Sequence, residues 1–195
     1  MTGEFKVSLN SGYNTEDVQL FSNEHKDNNL TISALSDGHR DNNFTVSLFS
    51  VKPNNVFALA KAFLSIAPMT NKKLQKLCYY AKAWYLALYN QNLIPESFEA
   101  WVHGADQPDL YQKYRGYGFS DIPQNKDLSG VPEEYISFAK TVYASYGHLT
   151  GDELERINHQ EDPWIKARGG CKPWESCSNP ISEQDMKDYY RKMLN

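Results

Sequence analysis

His103, Asp106 and Asp109 lie close together in the chain, and a carboxylate beside an imidazole can take up and return a proton near neutral pH. No nucleophile elbow, phosphate-binding glycine loop or dinucleotide fingerprint accompanies them. Acids near a histidine in a turn commonly serve as caps and surface groups, so no catalytic residue is expected and the chain reads as a non-enzyme. Cys171, Cys177, His148 and His159 offer soft and imidazole ligands of the kind zinc takes. The Cys-x5-Cys spacing is not a zinc knuckle, and no metal or other cofactor is expected. Cys78 reads as a small buried hydrophobe. The third chemistry is recognition. Tyr79, Tyr80, Tyr85, Tyr89, Tyr111, Tyr114 and Tyr117 are too many for one core, so some must be exposed. Tyrosine suits an interface because it offers large area at low entropy cost. The competing reading is an aromatic-rich core whose hydroxyls reach water.

The element that must position most of these groups is the stretch Asn71–Tyr89, NKKLQKLCYYAKAWYLALY. Leu74, Leu77, Cys78, Ala81, Trp84, Tyr85 and Leu88 recur at three- and four-residue spacing and line one helix face. Lys72, Lys73, Lys76 and Lys82 fall mostly on the other. Thr70 stands where an N-cap is wanted. Upstream, Asn55–Ile66 reads as a helix with Val56, Ala60, Phe63 and Leu64 inward. Downstream, Phe98–His103 alternates like a short strand. Pro108–Arg115 reads as a short helix ending at a Gly116-Tyr117-Gly118 turn, and Asp121–Gly130 as a polar loop. Pro132–Tyr146 reads as a helix with proline in its first turn. Thr150 with Glu153 three residues on makes a capping box for a helix reaching His159. Ser182–Leu194 reads as a terminal amphipathic helix.

Four of these motifs occur together in one order. The KKLQKLCYYAKAW helix, the FEAWVHG segment, the LYQKYRGYG helix and turn, and LERINHQEDPW from Leu154 to Trp164 resemble the Panacea domain of SocA-like antitoxins. Gly169-Gly170 and the helix opening at Ile181-Ser182 fit its C-terminal end. The resemblance runs from about Asn54 to Leu194. It marks Lys73, Leu74, Leu77, Tyr80, Trp84, Trp101, Gly104, His159, Pro163 and Trp164 as motif positions of structural weight. It also implies a packing or hydrogen-bonding role for His159 beside Pro163-Trp164. The chain departs from the family pattern twice: Ala105 follows Gly104 where the pattern has proline, and Asn158 precedes His159 where it has threonine.

The charge pattern bounds the partners. Net charge is −4, which argues against a nucleic-acid binder that works by neutralising phosphates. Residues 1–50 hold seven acids and three Lys/Arg, while the remainder is neutral, so the whole excess sits in the N-terminal segment. That segment also lacks proline and tryptophan, and the shift marks a boundary near Val51–Asn54. No apolar run approaches the roughly 18 residues of a membrane span. The start of the chain has no basic-then-apolar leader, and three cysteines do not form a disulfide framework. The expected location is the cytoplasm, with no membrane association.

The acidic segment carries a repeat. His25–Ser36, HKDNNLTISALS, recurs as His39–Ser50, HRDNNFTVSLFS, with a period of fourteen, and a weaker copy precedes both. Leu30, Ile32 and Ala34 alternate with Thr31 and Ser33, and Phe44, Val46 and Leu48 repeat the pattern. Asp37-Gly38 and the Asp-Asn-Asn runs supply turn chemistry. An antiparallel meander is the simplest reading; stacked solenoid rungs also fit the fixed period. Either way the apolar face needs cover, from the body, a second copy of the chain or a partner.

The fold expected is mainly α with a small β component: a β-repeat arm over residues 1–52 and a compact helical body over residues 53–195. The residues expected to meet a partner are Leu30, Ile32, Phe44, Val46, Asp27 and Asp41 in the arm and Tyr111, Tyr114 and Tyr117 in the body. The arm's acidity favours a basic partner surface, and the arm could also join copies of the chain. The resemblance implies an antitoxin that binds and neutralises a small toxin. Its alternatives are an adaptor delivering a toxin to a protease, and a phage or mobile-element protein that binds a host defence factor.

Overall fold

The computed structural model describes residues 32–33, 43–44 and 55–194. The chain divides into two units, Met1–Ser50 and Val51–Asn195. In the first, β1 (Ile32–Ser33) pairs antiparallel with β2 (Asn43–Phe44), Ile32 opposite Phe44 and Ser33 opposite Asn43. The rest of the repeat, with Asp27, Leu30, Asp41 and Val46, lies outside the described residues, and so does the choice between meander and rungs.

The second unit is helical, with seven α-helices and two short two-stranded ladders among its described residues. Helix α1 (Val56–Ile66) starts where Asn55 accepts the Ala58 N–H. After it, β3 (Met69–Thr70) leads straight into α2 (Asn71–Tyr89), whose N-cap is Thr70, accepting from Lys73 N. Asn90 ends α2 in the left-handed conformation at φ 55°, which asparagine tolerates better than most residues. A hairpin follows: β4 (Glu99–Trp101) pairs with β5 (Gly104–Asp106). Then come α3 (Pro108–Tyr114), a 3-10 turn over Arg115–Tyr117, and β6 (Asp121–Ile122), which pairs back on β3. Helices α4 (Glu133–Tyr146), α5 (Gly151–Asn158), α6 (Asp162–Arg168) and α7 (Glu183–Lys192) complete the body. Both halves of the Thr150/Glu153 capping box are made.

Helix α2 is the centre, and here the structure corrects the sequence reading. It was expected to bury one stripe and solvate its lysines. Instead nearly its whole circumference is covered, because α1, α3, α4, α5 and α7 all pack on it. Lys76 and Lys82 are fully buried, and Leu88, expected inside, is 45% exposed. A buried ammonium needs a partner. Lys82 donates to the Glu96 carbonyl at 2.6 Å and pairs with Glu183 on α7 at 2.7 Å. Lys76 lies 2.9 Å from Asp106 on β5 and 3.0 Å from the Ala105 carbonyl. Tyr79 and Tyr80 are both buried on α2, and Tyr190 of α7 meets them edge-on at 6.5 and 6.3 Å between ring centroids. One further reading changes: the loop expected over Asp121–Gly130 opens with β6. The strand expected over Phe98–His103 is present as β4, one arm of the β4–β5 hairpin, and Pro163-Trp164 lie in the first turn of α6.

Candidate functional site

The β4–β5 hairpin sits between α2 and the α5–α6 corner, and three layers of chemistry meet on it. The innermost is a buried polar seam. Besides the Lys76–Asp106 pair, Gln75 Oε1 accepts the Gln107 N–H at 2.9 Å, and Gln107 in turn caps α3 by accepting from Leu110 N at 2.6 Å. Asn158 accepts the Ala105 N–H at 2.7 Å and donates to Glu161 Oε2 at 2.9 Å, which also takes the Tyr190 hydroxyl at 2.8 Å. Burial pushes the Glu161 carboxyl up to about 7, with hydrogen bonds from Asn158 and Tyr190 opposing it. Burial also raises Asp106 and lowers Lys76, and their mutual attraction offsets both effects. The Tyr79, Tyr80 and Tyr190 hydroxyls are held protonated by the same desolvation.

Gly104 makes the turn of this hairpin possible. Its φ is +103°, and an added Cβ would lie 2.7 Å from Lys76 Cε and 2.9 Å from Asn158 Oδ1. The neighbouring Ala105 and Asn158 are the chain's two departures from the Panacea pattern, and they meet in one hydrogen bond. Proline at 105 would have no N–H to give; with alanine there, an amide acceptor at 158 satisfies the donor that appears.

The middle layer is a charged cleft of about 420 Å³ lined by Lys72, His103, Asp152, Glu155, Arg156, His159 and Gln160. Lys72 joins Asp152 at 2.7 Å and Glu155 at 2.6 Å, and His103 Nδ1 lies 3.0 Å from Glu155. Partial burial works against the Glu155 charge, but the hydrogen bonds from Lys72 and His103 hold its carboxyl below the ordinary range. His103 is therefore hydrogen-bonded to Glu155; Asp106 goes to Lys76, and Asp109 lies in the first turn of α3. The three groups with which the sequence reading began do not converge.

The outer layer is aromatic. Trp101 meets Tyr111 edge-on at 5.2 Å, and the Trp101 carbonyl accepts the Trp164 indole N–H at 3.1 Å. Trp164 stacks on His159 at 4.2 Å between ring centroids. Burial lowers the His159 pKa, which keeps the ring neutral and apolar enough to stack. Tyr111 and Tyr117 are exposed, Tyr114 is half-buried, and Tyr114 and Tyr117 lie 6.4 Å apart. Lys113 sits over the Phe57 ring at 4.6 Å.

The other motif residues serve the frame. Leu74, Leu77, Tyr80 and Pro163 are buried. Trp84 donates to the Tyr146 hydroxyl at 2.9 Å, and Lys73 donates to the Gly147 carbonyl at 2.7 Å. The seven tyrosines divide: Tyr79, Tyr80 and Tyr85 go inside, Tyr114 is half-buried, and Tyr89, Tyr111 and Tyr117 are exposed.

Sequence reasoning missed Phe119 and Trp174, which are 99% and 76% exposed. Phe119 carried a signal, since a lone phenylalanine between a glycine turn and a serine has no apolar neighbour to join. Glu161 carried none, because its burial follows from where α7 lands. Among the described residues no group of three or more His, Cys, Asp or Glu is gathered as metal ligands, and no helix is long and apolar enough to cross a membrane.

No curated protein and no solved structure matched the chain. The family comparison did match: residues 74–165, the span from the middle of the first turns of α2 through the hairpin, α5 and the start of α6, fit the model described as antitoxin SocA-like, Panacea domain. The match takes in most of the polar seam and of the cleft, with Trp101, Tyr111 and Trp164 of the aromatic layer, and leaves out Lys72 and Tyr190; over these residues the chain is similar to the Panacea domain of SocA-like antitoxins.

Proposed function

We propose that this protein is an antitoxin that neutralises a small protein toxin by stoichiometric binding, without turnover. The observation that carries the reading is the aromatic side chains left in water on a chain that matches the antitoxin-type model: Tyr111, which packs on Trp101 of the hairpin, Tyr117 and Phe119 are all exposed. Exposed aromatic side chains on a fixed frame are the usual anchors of a protein interface. The acidic N-terminal unit adds steering toward a basic surface and selects the partner, and its apolar alternation provides a second contact or joins copies of the chain. The setting proposed is the cytoplasm, and no nucleic acid or membrane is involved.

The test is a titration of the protein encoded by the neighbouring reading frame. Its toxic activity should fall linearly with added antitoxin and vanish near equal amounts, with no metal or nucleotide present. A trace of this chain silencing a large excess of toxin would favour an enzyme, and toxin that disappears only when a protease is present would favour the adaptor.

A further inference from the structure

The loop that follows α6 contains two cysteines that the polar seam and the aromatic layer do not use. Cys171 Sγ lies 2.9 Å from Cys177 Sγ, both as free thiols. Cys171 is partly exposed and Cys177 is buried. The loop between them is already held in shape. The buried Arg168 guanidinium donates to the Lys172 carbonyl and, at 2.9 Å, to the Glu175 carbonyl, while its other nitrogen reaches the Ala100 carbonyl of β4 at 3.3 Å. Lys172 N–H donates to Glu175 Oε2 at 3.1 Å, and Glu175 N–H to the Lys172 carbonyl at 3.0 Å. Beyond Cys177, Asn179 and Ile181 bond to Ala100 and Phe98 on either side of Glu99, so the far end of the loop is fastened to β4. Trp174 stands at the tip.

We infer that Cys171 and Cys177 form a reversible dithiol–disulfide site that locks the Trp174 loop onto the body. The geometry is what carries this: two sulfurs in contact in a loop whose backbone is already fixed need little further ordering to bond. The reaction needs an oxidant, and a low-molecular-weight disulfide such as glutathione disulfide supplies it. The hydrogen bond with Cys177 raises the pKa of Cys171, with Arg168 opposing it, so the thiolate of the more accessible Cys171 forms as pH rises by loss of its proton to solvent; it attacks one sulfur of that disulfide and expels a thiolate. The Cys177 thiolate then attacks Cys171 Sγ, forms the protein disulfide and expels the second thiolate. Two protein thiols are oxidised, one small disulfide is reduced to two thiols, and the protons balance. Cys78 takes no part, since its burial in α2 raises its pKa and denies access.

Peptide mass mapping of the full chain tests the site. Trypsin cuts after Arg168 and Lys187 and spares the Lys172-Pro173 bond, so both cysteines fall in one peptide, residues 169–187. After incubation with glutathione disulfide that peptide should be lighter by two hydrogens, regain them on reduction with dithiothreitol, and come from a chain that runs as a monomer on a non-reducing gel. Cys78 should remain open to alkylation after unfolding. Cys171→Ser, at the more exposed position, should abolish the mass loss and leave a glutathione adduct on Cys177 or no change. A wild-type chain that keeps both hydrogens across the full range of glutathione buffers would overturn the inference. So would one that stops at a lasting adduct on Cys171 or pairs cysteines between chains.

Discussion

The polar seam under the β4–β5 hairpin and the aromatic layer over it are built from neighbouring residues, yet they obey opposite constraints. In the seam the charged and amide groups are tied to partners, Lys76 to Asp106, Ala105 to Asn158, and Glu161 to Asn158 and Tyr190, while the Tyr79 and Tyr80 hydroxyls are buried without one. Removing one partner leaves a buried polar group unpaired, which costs more than the bond was worth. Among the outer aromatics Tyr111 and Tyr117 are exposed, Tyr117 touching Tyr114, and Phe119 beyond them is 99% exposed. The difference teaches that the seam fixes the frame, while a fully exposed side chain can be changed at little cost to it.

The largest expected effects are in the frame. Leu77→Asp would bury an unpaired charge at a fully covered position of α2, a loss of several kcal/mol, and should give insoluble or unfolded protein. Lys76→Met, which leaves Asp106 without its cation, should cost about 3–5 kcal/mol in a denaturant melt, with part returned in the Lys76→Met/Asp106→Leu double variant. A soluble Leu77→Asp chain that melts cooperatively at the wild-type midpoint would mean that the seam and its helix do not set the frame.

Glu161 gives a pH test of the same region. Its carboxyl titrates near 7 in the folded chain against an ordinary 4.5. Its contribution to stability is therefore full below 4.5 and is lost as pH rises through 7. From pH 5 to 8 the wild type should lose ~2.5 kcal/mol relative to Glu161→Gln, whose amide carries no charge to bury. Parallel stability–pH curves for the two proteins would show that the carboxyl is not held as the seam requires.

Gly104→Ala is expected to be milder, at about 2 kcal/mol, from the positive φ and the close approach to Lys76. Its melting temperature should fall, with the same pH dependence as the wild type.

At the small end for stability, Phe119→Ser should move it by no more than ~0.5 kcal/mol. Paired with Tyr117→Ser it should weaken toxin binding at least tenfold by calorimetry. A binding loss confined instead to variants of residues 1–50, such as charge reversal at Asp27 and Asp41, would shift recognition from the body to the acidic unit. Such reversals should slow association more at low than at high salt.

What the sequence by itself determined is what is decided within about four residues or by a repeating apolar spacing. The cap at Thr70, the Thr150/Glu153 box, the start of the last helix near Ser182 and the extents of α1, α2 and α4 were legible, because the donor and acceptor that end a helix lie on the same turn. The motif order led to the family for the same reason, since it rests on residue types along the chain. In the site, Trp101, Gly104, His159 and Trp164 were named as motif positions and Tyr111 as a partner contact, and Phe119 could have been named. Only the tertiary structure decided which lysines of α2 would be buried. Lys76 and Asp106 are 30 residues apart, and Ala105 and Asn158 are 53 apart. Amphipathic spacing assigns a lysine to water because burying a lone charge is costly. That cost vanishes from view only when a carboxylate from a distant strand arrives, and the packing of five helices around α2 is what brings it there.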